Sequence, residues 1–342
     1  MHTHAVRSLA AFRIAISSRV LRFMPAGVLA LSSLLCAHAA EVQSWPTRPI
    51  RWILPYPAGG SSDVITRNLA QHLTTHLGQQ VIVDNRPGAN GLIGTDLAAK
   101  AQPDGYTVVV GVLGPLTVLP HMVKMPYDPV KDLAPVTMMA SVPNLVVVRK
   151  DSPLMSFKDV IDTARKHPGE LTFGSVGVGS SGQLSAGLLN GMAGIQLTNI
   201  GYSGGAPAQM DLLGGRLALM FDNAPGALPR VRAGQLRALA ITSARRSAVI
   251  PELPTIAELG FPGYEAAAWF GALAPARTPQ SIIERLNREI VALLKDPAIN
   301  AQLTNQMYDV LPSTPAEFSQ FIASESRKWA KVIKDNNIKA SD

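Results

Sequence analysis

From Ile50 onward, β-rich apolar runs alternate with helical stripes. IRWIL (50–54) reads as a strand. SSDVITRNLAQHLTTHLG then repeats apolar side chains at Ile65, Leu69, Leu73 and Leu77, a spacing that predicts an amphipathic helix ending at Gly78. Strand QVIVDN (80–85), short helix GLIGTDLAAKA (91–101) and strand YTVVVGV (106–112) complete a β-α-β-α-β series, which favours a parallel sheet with helices packed on it. After an irregular stretch, strand NLVVVRK (144–150) opens a second series. A helix starts at SFKD (156–159), which resembles a capping box, and runs to His167. Strand LTFGS (171–175), a glycine-serine loop, helix GQLSAGLLNGM (182–192), strand QLTNIGY (196–202), helix APAQMDLLGG (206–215) and strand RLALMFD (216–222) follow. From about residue 278 the pattern is helical to the end.

The order strand, Gly/Ser-rich loop, helix, strand thus occurs twice, with PYPAGGSSD (55–63) and GSVGVGSSG (174–182) as the two loops. The layout predicts two similar α/β lobes. The chain crosses between them near 115–143 and returns near 264–278, with the closing helices packed back on the first. One lobe is expected to comprise residues 40–142 plus 265–342, the other residues 143–264. Two crossings make a hinge, and a hinge makes a cleft.

Charge and cysteine usage change the picture only after the N-terminus is read. The 342 residues are 47% apolar with a net charge of +7, enough for a sizeable core. Residues 1–22 carry Arg7, Arg13, Arg19 and Arg22 and no acid; the apolar FMPAGVLALSSLLC (23–36) and then AHA (37–39) follow. A basic start, a short apolar segment and an A-x-A end compose a secretory signal peptide, here residues 1–39. Its removal lowers the net charge from +7 to +3, which undercuts a nucleic-acid partner. It also removes Cys36, the single cysteine, and with it any disulfide, thiolate metal site or cysteine nucleophile. A lipid anchor at Cys36 is disfavoured by the bulky Leu35 before it.

Three enzyme patterns fail on their companions. GVGSSG (177–182) matches a dinucleotide-binding turn, but the next strand offers Asn199 where an acid is needed. GYSGG (201–205) matches a nucleophile elbow at Ser203. His121, the one histidine in a plausible loop, comes before that serine, in the wrong chain order. His72 and His76 share a helix face without a third metal ligand. A binding reading accounts for more. Helix starts present unpaired N–H groups and partial positive charge, so they attract anions. Ser61 and Ser62 in AGGSS, Ser175, Ser180 and Ser181 in SVGVGSS, and GGAPA (204–208) after Tyr202 are three such starts. The alternative for any one of them is a tight turn and nothing more.

Nearly the whole mature chain resembles the periplasmic solute-binding receptors of tripartite tricarboxylate transporters, the Bug type. The resemblance lies in WPTRPIRWILPYPAGGSSDVITR (45–67), GQQVIVDNRPGANGLIGTDLAAKAQPDGYT (78–107), LTFGSVGVGSSGQL (171–184), GYSGGAPAQMDLLGGRL (201–217), MFDN (220–223), LRALAITSARR (236–246), PELPTIAELGFPGYE (251–265) and APARTPQSIIERLNREI (274–290). It implies an α/β fold of the type II periplasmic-binding-protein architecture, two lobes closing on ligand, and no catalysis. It further implies that Tyr56, Ala58, Gly59, Gly60, Ser61, Ser62 and Asp63 hold a ligand carboxylate. Ser175, Val178, Gly179, Ser180 and Ser181 face that loop, and Tyr202, Gly205, Ala206 and Asp222 line the cleft. The implied partners are a small organic carboxylate and the transporter's membrane subunits, met by a periplasmic monomer without cofactor, metal or nucleic acid. Two rivals keep their own signatures: a ligand-presenting sensor with the same pocket, and a serine hydrolase using Ser203. Three departures bear on the ligand. Gln183 stands where relatives often have histidine, Gly187 where they have an acid, and GYSG (201–204) where Pro-Tyr-Lys/Arg-Gly is usual. Loss of basic side chains favours a mono- or dicarboxylate over citrate. Asp222, if it faces the ligand, favours an amino or hydroxy acid.

Overall fold

The computed structural model describes residues 45–336 and residue 338, so the proposed leader 1–39 lies outside the described residues. Strands β1 (Ile50–Leu54), β2 (Val81–Asn85) and β3 (Thr107–Val112) run parallel in the order β2-β1-β3. Helix α1 (Ser61–Leu77) returns from β1 to β2 and buries Ile65, Leu69, Leu73 and Leu77, the stripe read from the sequence. It stops at Gly78, whose left-handed φ of 66° lets the chain turn away at little steric cost. Helix α2 (Leu92–Ala99) joins β2 to β3.

The stretch expected to be irregular is ordered. Gly114–Val118 makes one wide helical turn and Leu119–His121 a tighter one. Leu133 then begins β4 (Leu133–Arg149), a strand of 17 residues. Its first half escapes sequence reading because Pro135 and Pro143 interrupt it and its register shifts at Pro135/Thr137 and Met138/Ala140. Such bulges place residues that cannot donate to the ladder.

β4 is shared by two groups of strands. Up to Pro143 it pairs antiparallel with β9 (Ala267–Pro275), which also pairs antiparallel with β3. From Asn144 it pairs with β7 (Leu219–Asn223), and from Leu145 also with β8 (Leu236–Ile241). β7 continues into β5 (Thr172–Ser175) and β6 (Thr198–Gly201), both parallel. The expected mainly parallel sheets are therefore joined through antiparallel strands into one mixed sheet. Helices α3 (Phe157–Lys166), α4 (Ser181–Ala193), α5 (Gly205–Leu213) and α6 (Ala224–Arg232) connect the second group. The capping box at Ser156 and Asp159 is present at the start of α3. α6 is a helix that APGALPRVR, with two prolines and a glycine, does not announce.

The closing segment, α7 (Gln280–Lys295), α8 (Pro297–Asn305), β10 (Asp309–Val310) and α9 (Pro315–Asp335), packs against β4 and the first strand group. Trp269 of β9 meets Phe318 and Phe321 of α9 edge-on, with centroids 5.8 and 5.4 Å apart. Gly271 supplies the room: a Cβ there would overlap the Phe318 ring and come within 2.9 Å of the Thr137 carbonyl oxygen. Ile338, beyond α9, also reaches α4. A side chain at Gly187 would strike Ile338 at 2.7 Å, which explains the small residue there. Gly271→Ala should cost about 3 kcal/mol in urea unfolding through overpacking; unchanged stability would show that Phe318 does not hold α9 on the sheet.

Candidate functional site

Where β4 changes partners, the two strand groups enclose a chamber of about 210 Å³. Four helices begin at its walls: α1 through Gly60, Ser61 and Ser62, α4 through Ser180 and Ser181, α5 through Gly204, Gly205 and Ala206, and α6 through Asn223 and Gly226. Each follows a strand, or the loop leaving one, so the topology aims all four starts at one space. No side chain caps α1, α5 or α6. The amides of Ser61 and Ser62 at α1, Gly205 and Ala206 at α5 and Ala224 at α6 have no partner within their helices, whereas the Asp63 amide is bonded to the Gly60 carbonyl oxygen. In α4 the Ser180 hydroxyl accepts from the Gln183 amide at 3.4 Å. Among the described residues the lining holds no lysine or arginine, and Trp269 and Phe270 of β9 form an apolar side.

The α1 loop is stiffened from behind. Gly59, at φ 87°, donates its amide to Asp63 Oδ2 at 3.0 Å, and Asp63 Oδ1 accepts from Asn85 Nδ2 at 3.1 Å and from Arg67 Nε at 3.0 Å. Burial pushes the Asp63 carboxyl up. The hydrogen bonds from Arg67, Gly59 and Asn85 outweigh that and hold it below the usual carboxylate range. Tyr308 adds a 2.6 Å bond to the Ser61 carbonyl oxygen. Asp63 thus turns away from the chamber and fixes the loop that Ala58, Gly59, Gly60, Ser61 and Ser62 present to it.

The second loop divides in the same way. Ser180 and Ser181 line the chamber, but the Ser181 hydroxyl is engaged with Asn144 Oδ1 at 3.2 Å and Asn223 Nδ2 at 3.1 Å. Ser175 is buried outside the lining, and Gly179 gives its amide to Gln183 Oε1 at 2.7 Å. Gln183 is accordingly a brace of the loop. Val178 and Tyr202 border a neighbouring outer space of about 730 Å³, which shares Tyr56, Pro57, Val176 and Ser203 with the chamber. Two contacts close the mouth between the strand groups. Asn90 Nδ2 donates to the Val178 carbonyl oxygen, and Pro57 sits beside Gly204, 3.3 Å from where its Cβ would be. Tyr56 donates to Asn90 Oδ1 at 2.9 Å and orients that amide.

Asp222 lies in the chamber wall with 8% exposure. Burial raises its carboxyl to about 6, against hydrogen bonds from Gln209 and the Asn223 amide and the more distant charge of Arg230. Gln209, Asn223, Gly226, Trp269, Phe270 and Asn90 were not foreseen as site residues. MFDNAPG (220–226) does carry a signal, a strand running into small residues and proline as at the other starts. His121, the histidine considered as a base for Ser203, is engaged elsewhere, with its Nε2 2.8 Å from Ser326 Oγ. His76 Nδ1 faces Glu289 at 3.6 Å.

A mixed α/β fold whose two strand groups enclose a chamber ringed by helix starts defines a solute-binding receptor. A family model described as "Tripartite tricarboxylate transporter family receptor" matches residues 65–338, and the chain belongs to that family. It is 40% identical over 305 residues to protein BugT of Bordetella pertussis, covering 89% of this chain and 94% of that protein. Among solved structures it resembles R. palustris Rpa4515 with adipate (TM-score 0.83, 38% identity, 86% of this chain and 99% of that one). It also resembles MatC from Rhodopseudomonas palustris with bound malate (TM-score 0.80, 30% identity, 84% and 100%). The family is one of transporter receptors, not of enzymes. Among the described residues, no helix is long and apolar enough to cross a membrane.

The raised Asp222 carboxyl has a consequence for stability. An acid that prefers its neutral form in the fold contributes stability below its unfolded value near 4, and loses it as pH rises through about 6. Asp222→Asn should therefore gain on the wild type by about 2 kcal/mol between pH 4 and pH 7. Urea unfolding of the ligand-free protein at the two pH values measures this, and a constant difference would mean that Asp222 is ionised at little cost.

Proposed function

We propose that this chain is exported to the periplasm by residues 1–39 and acts there as a monomer. It captures a small organic carboxylate in the chamber and delivers it to the membrane subunits of a tripartite tricarboxylate transporter. One observation carries the reading: four helix starts, three of them uncapped, meet at a small space with no basic side chain in its described walls. Backbone amides and the Ser61 and Ser62 hydroxyls balance the ligand's charge without a full countercharge, so the grip is reversible. A chamber of about 210 Å³ suits a ligand below drug size. The adipate and malate in the structures of relatives are of that class.

The strand groups act as lobes. They hinge where β4 passes from β9 to β7 at Pro143 and Asn144, and at the returning chain, where Thr242 Oγ1 donates to the Ala266 carbonyl oxygen at 2.6 Å. The Asn90–Val178 bond holds the closed form, which the membrane partner reads. Asn90→Ala should weaken ligand binding about fivefold through the closing equilibrium, with a lower unliganded melting temperature as well, because Asn90 sits at φ 49° where alanine is strained; unaltered affinity by calorimetry would remove the latch from the mechanism.

Gly60 provides the direct test of the chamber. Its φ of −83° and ψ of 172° suit any residue, and a Cβ there would meet nothing within 4 Å. Valine fits the backbone and projects into the open space. In a thermal-shift screen of residues 40–342 against aliphatic, aromatic and amino carboxylates, a binder at a hundred times its Kd stabilises the wild type by about 2.7 kcal/mol. Gly60→Val should fold and show no shift. Wild-type shifts in that variant would place the ligand elsewhere.

A further inference from the structure

Asp222 sits awkwardly in a chamber meant for an anion, and its surroundings give it a purpose. Gln209 Nε2 donates to Asp222 Oδ2 at 2.5 Å. The orientation of that amide is fixed, because Gln209 Oε1 accepts from Arg230 Nε at 2.7 Å and a guanidinium can only donate. Arg230 thereby holds Gln209, which holds the carboxylate. Oδ1 is turned to the other side, toward two glycines. A Cβ on Gly205 would lie 4.0 Å from Oδ1, and one on Gly226 3.8 Å from it. Neither glycine needs its small size for backbone reasons, since neither has a positive φ. Their common effect is to leave Oδ1 room on the chamber side. The Asn223 amide also lies against this carboxylate, but the two oxygens have about four acceptor sites between them, more than these donors fill. The point where a Gly226 Cβ would stand is also 4.0 Å from Ser61 Oγ. A ligand atom near that point would touch the acid and the α1 start together.

We infer that Asp222 is a specificity-determining residue that selects carboxylates bearing a hydroxyl or ammonium donor close to the carboxylate. The inference rests on the chamber being a carboxylate site and adds the second functional group. The ligand's carboxylate takes the amides and hydroxyls at Ser61 and Ser62, and its donor takes Asp222 Oδ1. A plain acid leaves Oδ1 without that donor. A hydrogen bond to a charged acceptor discriminates by roughly tenfold or more.

The test is calorimetry on residues 40–342 with matched sets of one chain length: propionate, lactate and alanine; succinate, malate and aspartate; adipate, 2-hydroxyadipate and 2-aminoadipate. In a set that binds, a donor-bearing member should bind at least tenfold tighter than the plain acid, and the hydroxy and amino arms show which donor is meant. Asp222→Asn should bring that ratio within about threefold. Gly226→Ala is the second variant. Alanine suits a helix better than glycine, and its methyl makes only ordinary contacts at 3.5 Å or more, so the fold stands while the space beside Oδ1 is filled. It too should level the ratio. A plain acid that binds as tightly as its substituted partners overturns this inference and leaves the carboxylate reading intact, as does a ratio that survives in both variants. Binding by no carboxylate overturns both.

Discussion

Peptide amides at the head of a helix have no partner within it, and a buried polar group without a partner is costly. Most helices meet this demand with a side-chain cap or with water. Here α1, α5 and α6 have no side-chain cap, and their starts line one chamber beside that of α4. The demand for acceptors is concentrated in a space that only a small solute can enter. Small residues follow from it, since Gly60, Gly204, Gly205 and Gly226 let a ligand approach the backbone. The want of lysine and arginine in the described lining follows too: four partial positive ends suffice for an anion that must later be released.

Convergence of those starts depends on strand order. α1 follows β1 in the first strand group, whereas α4, α5 and α6 follow β5, β6 and β7 in the second. β4 and β9 carry the chain across and back, and the polar cluster at the crossing fixes how the groups meet. Asn144 is fully buried; its amide donates to Thr242 Oγ1 at 2.8 Å, and its side chain joins Ser185, Ser181 and Asn223. These bonds tie the starts of α4 and α6 to the strand that links the lobes.

What could be read from the sequence was local. The apolar stripe of α1, the strand ahead of it and the Gly/Ser loops are decided by neighbours a few residues apart, and they appear at almost the residues read. The first half of β4 and the whole of α6 were not legible, because prolines and small residues give them weak local preference and distant partners supply the stability. Site residues divide along the same line. Ser61, Ser62, Gly205 and Ala206 announce themselves as helix starts, whereas Trp269, Phe270 and Gln209 reach the chamber only through long-range pairing. Asp63, Ser175 and Gly179 belong to loops beside the chamber but do not line it, since the direction of a side chain or amide is set by partners such as Asn85 and Gln183.

Asp63 and Asp222 show how far environment decides what one residue type does. Both are acids at the base of a chamber-lining helix, and both are almost fully buried. Asp63 has a guanidinium, an amide side chain and a backbone N–H bound to it, enough to keep it ionised below the ordinary range. Its charge is neutralised within the loop and stiffens it. Asp222 has Arg230 only at one remove, through Gln209, so burial prevails and its carboxyl rises. A brace needs a fully satisfied carboxylate; a reader of ligands needs one with acceptor capacity to spare. Moving the arginine one residue further along the chain of hydrogen bonds separates the two roles.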